Sequence, residues 1–133
     1  MMMKYLLVLG LTGLVFSSCA GTEPNQIDEV SQQVKGIYKD IPAEKFKANY
    51  VKGFLLDVRT PEEFAEGHIQ GAVNIDIYDA QFSSQLDKLD KSKPVYVYCR
   101  SGARSSNASE MMKKKGFKEV YNLIGGYAAY PFK

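Results

Sequence analysis

The segment Pro94-Val95-Tyr96-Val97-Tyr98-Cys99-Arg100-Ser101-Gly102-Ala103-Arg104-Ser105 leaves few folds open to this chain. After Pro94 come four β-branched and aromatic residues, a short segment that reads as a buried strand. Residues 105–115 read as a helix, so strand and helix are joined only by a tight loop. A second unbroken apolar run, Phe54-Leu55-Leu56-Asp57-Val58, ends in a carboxylate and fits another central parallel strand. Strands of this kind alternating with helices predict an α/β domain with a mainly parallel sheet. Ligands of such sheets lie beyond the carboxyl ends of the strands, which is where Cys99 falls.

The remaining elements fit around these two strands. Ile37-Tyr38-Lys39-Asp40-Ile41 alternates as a short strand, and Pro42 suits the first turn of a helix through Tyr50 with Ala43, Phe46 and Tyr50 on one face. Thr60-Pro61-Glu62-Glu63 is a helix start in which Thr60 caps, Pro61 takes the first position and Glu63 closes a capping box. Gly67 is expected to end that helix in a left-handed conformation. His68 is expected to fix a turn by hydrogen bonding rather than serve as a base, and residues 68–75 feed a strand. Residues 79–89 carry Phe82, Leu86 and Leu89 at helical spacing. In the helix after the loop, Ala108, Met111 and Met112 are expected to face inward, with Lys113-Lys114-Lys115 at its favourable end and Gly116 closing it. Residues 117–121 predict a last strand, and residues 125–130 a turn with a short helical piece.

The 133 residues, 45% of them hydrophobic, suit one core, and a net charge of +2 leaves no electrostatic footprint for nucleic acid. Met1-Met2-Met3-Lys4, an apolar stretch over 5–16 and then Ser17-Ser18-Cys19-Ala20-Gly21 resemble a bacterial lipoprotein signal peptide, with Phe16 where leucine is usual. The expected organisation is a signal peptide over 1–18, a polar tether over 19–35 and a folded domain over 36–133. Lipidation of Cys19 would anchor an exported domain in the cell envelope or periplasm, whereas an ordinary secretory signal cleaved near Ala20, which the small residues also suit, would release it. Cys99 would then be the one remaining thiol, a working sulfur rather than half of a disulfide.

A cysteine is commonly a small buried hydrophobe. Here it stands beside Arg100, Gly102 and Arg104, at a helix start whose N–H groups lack intrahelical partners and point at anions. A free thiol with a pKa of about 8.5 is only a few per cent thiolate at neutral pH. Lowering it by about two units requires about 2.7 kcal/mol of differential interaction. The helix start and two guanidinium groups are the expected source.

Leu56-Asp57-Val58-Arg59 with Thr60-Pro61-Glu62-Glu63-Phe64, then Gly67-His68-Ile69-Gln70-Gly71-Ala72-Val73-Asn74, resembles the first signature of the rhodanese family. Tyr98-Cys99-Arg100-Ser101-Gly102-Ala103-Arg104-Ser105 resembles its active-site loop, and Gly116-Phe117, Val120-Tyr121-Asn122-Leu123 and Gly125-Gly126 its carboxyl-terminal signature. Tyr130 stands where many relatives carry tryptophan. The resemblance spans about residues 36–130 and implies a single rhodanese-like domain, a five-stranded mainly parallel sheet flanked by helices on both faces.

It also implies a sulfurtransferase. Cys99 would take a sulfane sulfur from thiosulfate or a persulfide donor and pass it to cyanide or a thiol, such as that of a thioredoxin-like protein, with neither metal nor cofactor. Ser101, Gly102 and Ala103 would bind the anionic donor with Arg100 and Arg104, each arginine either binding the donor or bracing the loop, and Asp57 and Arg59 would form a supporting polar pair near the strand ends. Three other readings stand beside it. A cysteine phosphatase needs five residues between cysteine and arginine, whereas four separate Cys99 from Arg104. A redox or sulfur shuttle would act on a protein partner, and a non-catalytic binding module would not need the intact cysteine.

Overall fold

The computed structural model describes residues 36–133, so the expected signal peptide, tether and lipidated Cys19 lie outside the described residues. The strands are β1 (Ile37–Ile41), β2 (Phe54–Asp57), β3 (Val73–Asn74), β4 (Val95–Tyr98) and β5 (Glu119–Leu123). The helices are α1 (Ala43–Asn49), followed by a 3-10 turn over Tyr50–Lys52, then α2 (Pro61–Glu66), α3 (Phe82–Asp87), α4 (Ala103–Lys114) and α5 (Gly126–Ala129). All pairings are parallel, and the five strands lie in the order β1-β5-β4-β2-β3.

Side chains alternating along the strands feed two cores. Leu56, Val95, Val97, Cys99 and Val120 pack with Phe82 and Leu86 of α3 and Ala108 and Met112 of α4. On the other face Leu55, Tyr96, Tyr98 and Leu123 pack with Phe46 of α1 and with Ile69 and Tyr130. Both neighbours of β4 are strands, so its four residues are all buried, as the apolar run requires.

Chain order and sheet order together place the site. The chain leaves β2 toward β3 and leaves β4 toward β5, in opposite directions across the sheet. A crevice therefore opens between the ends of β2 and β4, where Asp57 and Tyr98 are register partners.

Several expectations shift. Met111 is exposed, while the buried stripe of α4 is Ser105, Ala108, Ser109 and Met112. Ser109 is inward because its hydroxyl donates to Ser105 O at 2.7 Å, and the single Ser105 hydroxyl proton lies between two acceptors, Gly102 O at 3.1 Å and Cys99 Sγ at 3.4 Å. The last strand starts two residues later than its β propensity suggests, because pairing of Ile37 with Glu119 sets its register. The third helix begins at Phe82, after Asp79 Oδ1 has accepted the Gln81 N–H at 2.7 Å in a local turn. Gly67 ends α2 at φ 154° and ψ 143°, an extended glycine conformation rather than the left-handed helical one.

Candidate active site

The site starts from two local devices. At α2 the capping box forms as read: Glu63 N donates to Thr60 Oγ1 at 3.3 Å and Thr60 N to Glu63 Oε2 at 3.2 Å. At α4 the residue before the helix is Gly102 at φ 104°, which turns the chain from loop to helix within one residue.

That turn aims donors at the sulfur. Cys99 Sγ accepts from Gly102 N at 3.1 Å and from Ser105 Oγ at 3.4 Å, with Cys99 fully buried. Burial pushes the thiol pKa up. The Ser105 hydroxyl and the N–H groups of Ser105, Gly102 and Ser101 outweigh it, so the net direction is down. Sequence reasoning did not assign the Ser105 hydroxyl a part; its place one turn into the helix, aimed back at the cysteine, appears only in three dimensions.

The two loop arginines have different surroundings. Arg104 is held in a two-pronged pair with Glu63, Nη1 to Oε2 at 2.7 Å and Nη2 to Oε1 at 2.8 Å, which ties α2 to α4 across the crevice. Its charge is thus matched by Glu63 while it still interacts with the Cys99 thiolate, and the hydroxyl and backbone donors are the larger causes that lower the thiol pKa. Arg100 is exposed, and its guanidinium forms no ion pair among the described residues. It helps to line a cavity of about 430 Å3, together with Arg59, Glu63, Gly67, Tyr127 and Lys133. Ser101 and Ala103 are exposed on the loop.

Under the loop lies a buried ion pair. Arg59 Nε donates to both oxygens of Asp57 at 3.0 Å, Nη2 to Oδ2 at 2.7 Å, and Arg59 N to Oδ1 at 2.9 Å. Arg59 Nη2 also donates to Gly67 O at 2.7 Å, and its guanidinium lies 4.4 Å from the Tyr127 ring centre. Tyr98, the residue before Cys99, accepts the Ile69 N–H on its hydroxyl at 3.0 Å, and burial keeps its phenol protonated. His68 stacks on Phe64 with ring centres 3.7 Å apart, and its Nδ1 lies 2.9 Å from Phe64 O, as expected for a turn-fixing residue.

The Glu63–Arg104 pair has a pH signature. The Arg104 guanidinium lowers the Glu63 carboxyl from 4.5 to about 2, burial opposing and the Thr60 N–H assisting. A folded-state value below the unfolded one stabilises above about 4.5, and that contribution is lost as pH falls from 4.5 through 2. Glu63→Gln keeps the cap but removes the pair, so it is expected to lower stability near neutral pH by roughly 1 kcal/mol. The gap to wild type should shrink in urea titrations as the pH falls to about 3. A gap that stays constant with pH would show that the pair contributes nothing.

A family model for the rhodanese-like domain matches residues 42–131. The uncharacterized protein YqhL of Bacillus subtilis is 43% identical over 91 residues, 68% of this chain and 71% of that protein. The thiosulfate sulfurtransferase GlpE of Coxiella burnetii is 38% identical over 76 residues, 57% of this chain and 69% of that protein. The crystal structure of a rhodanese-related protein from Thermoplasma volcanium superimposes with a TM-score of 0.63 at 30% identity, covering 70% of this chain and 90% of that one. With the family match running from the start of α1 to beyond α5 and enclosing the whole cysteine loop, this chain belongs to the rhodanese-like domain family.

Proposed function

We propose that the protein is a sulfurtransferase in which Cys99 carries a sulfane sulfur from an anionic donor to a thiol or cyanide. The observation that supports this most is the set of donors on one sulfur, Gly102 N at 3.1 Å and Ser105 Oγ at 3.4 Å, at the start of a 12-residue helix. These donors stabilise negative charge on Sγ, and a thiolate is the nucleophile that the first step needs.

In the first half-reaction the Cys99 thiolate attacks the outer sulfur of thiosulfate. A new S–S bond forms, the bond to the sulfonate sulfur breaks, and sulfite departs with its electron pair, leaving a persulfide. In the second, the acceptor anion attacks the terminal sulfur. The S–S bond breaks and the electron pair returns to Cys99, giving thiocyanate from cyanide or a persulfide from a thiolate. Loop N–H groups stabilise charge in both steps. Arg100, exposed and free of an ion pair among the described residues, is the cation assigned here to attract the donor, and Arg104, paired with Glu63, is the one assigned to brace the loop.

The same geometry argues against phosphate transfer. Four residues rather than five separate Cys99 from Arg104. The fork that would clasp a phosphate is filled by a carboxylate. The test is a thiosulfate–cyanide assay on the full-length protein with both substrates varied. Two covalent half-reactions give parallel double-reciprocal lines, and intersecting lines would remove the persulfide intermediate.

A further inference from the structure

Two hydrogen bonds join the carboxyl-terminal segment to the loop: Tyr127 N donates to Cys99 O at 2.8 Å and Ala128 N to Arg100 O at 2.9 Å. In a trans peptide the C=O and the following N–H point in opposite directions. Holding the carbonyls of Cys99 and Arg100 toward α5 therefore turns the N–H groups of Arg100 and Ser101 away from it. These are the loop positions that follow the sulfur, and the Ser101 N–H is among the groups that lower the thiol pKa.

The approach is close enough to dictate a glycine. A Cβ on Gly126 would sit 2.5 Å from Arg100 O and 2.6 Å from Cys99 O, and both are backbone atoms that cannot swing aside. Gly125 and Gly126 have φ of 75° and 60°, so the chain enters α5 through two left-handed residues. The segment also has a fixed seat, because the Tyr127 ring lies against the Arg59 guanidinium of the buried Asp57–Arg59 pair.

We infer that Gly126, Tyr127 and Ala128 are positioning residues: by clamping the carbonyls of Cys99 and Arg100, they fix the two peptides that follow the cysteine and so the path of the loop to Gly102, whose N–H donates to the reacting sulfur at 3.1 Å. The inference deepens the sulfurtransferase reading and rests on it for its catalytic consequence. The clamp acts on peptide orientation, so its signature is the ionisation of Cys99.

The experiment measures iodoacetamide alkylation of Cys99 against pH in the full-length protein carrying Cys19→Ala, which leaves one reactive thiol. Gly126→Ala is expected to move the alkylation midpoint up by roughly one pH unit and to slow sulfur uptake from thiosulfate about tenfold. Gly116→Ala is the control: its φ of 89° imposes the same kind of backbone strain, but an added Cβ meets nothing within 4 Å. It should lower the melting temperature and leave the midpoint unchanged.

Should Gly126→Ala fail to fold, Ala128→Pro decides. It deletes the single N–H that holds Arg100 O at a helix position that tolerates proline, and it should raise the midpoint by a smaller amount. A folded Gly126→Ala that titrates like Gly116→Ala overturns the clamp, and so does an Ala128→Pro that titrates like wild type. A midpoint that shifts in Gly126→Ala while the parent protein never takes up sulfur upholds the clamp and overturns the sulfurtransferase reading instead.

Discussion

Cys99→Ser is expected to abolish sulfur transfer from thiosulfate to cyanide, lowering turnover by roughly four orders of magnitude or more, with the fold intact. The substitution is nearly isosteric in a fully buried position, and a serine hydroxyl accepts the Gly102 N–H and Ser105 hydroxyl as the sulfur does. Stability should therefore change little. Chemistry is lost because a serine hydroxyl, unlike a thiol, does not ionise near neutral pH even with these donors around it. On the proposed role of Arg100, which the substitution leaves in place, thiosulfate should still bind while no covalent species accumulates. Activity within tenfold of wild type would mean that the sulfur passes through some other group.

The second large effect concerns stability. Asp57→Ala is expected to destabilise the domain by about 3–5 kcal/mol, measured as a lower urea midpoint at unchanged slope. Asp57 is fully buried and Arg59 is 4% exposed, so removing the carboxylate leaves a guanidinium in the interior with Gly67 O and the Tyr98 and Tyr127 rings to meet it. A domain of this size has about 5–15 kcal/mol in total, so a large share of its stability is at stake. Asp57→Asn should cost less than Asp57→Ala because one oxygen still accepts from Arg59, yet the loss of charge keeps it well below wild type. Because Arg59 also seats Tyr127, Asp57→Ala should loosen α5 from the cysteine loop and raise the Cys99 alkylation midpoint. A loss below about 1 kcal/mol would place the pair among the interactions that hydrophobic packing replaces without penalty.

The parts legible in the sequence are those decided by neighbours in the chain. The Thr60–Glu63 capping box spans three residues, and both hydrogen bonds form. The unbroken apolar runs before Asp57 and Cys99 lie side by side as β2 and β4, since each needs cover on both faces. The site features that escaped the sequence are contacts between distant segments. Glu63 read as a cap, and nothing local signals that its outer face meets Arg104, 41 residues away. The sequence assigned Ser105 and Ser109 no inward place; they are buried where their hydroxyls find acceptors on the helix backbone. Met111 looked like core and is exposed, since it lies off the buried stripe of α4. Gly126 read as part of a turn, whereas its lack of a side chain is demanded by the Cys99 and Arg100 carbonyls.

The most direct test of the central claim is the intact mass of the protein after brief exposure to thiosulfate and removal of excess reagent. One added sulfur on the wild type, absent from Cys99→Ser and discharged by excess thiol, is the expected result. A wild-type mass that stays unchanged, or a sulfur that persists in Cys99→Ser, would contradict a persulfide on Cys99.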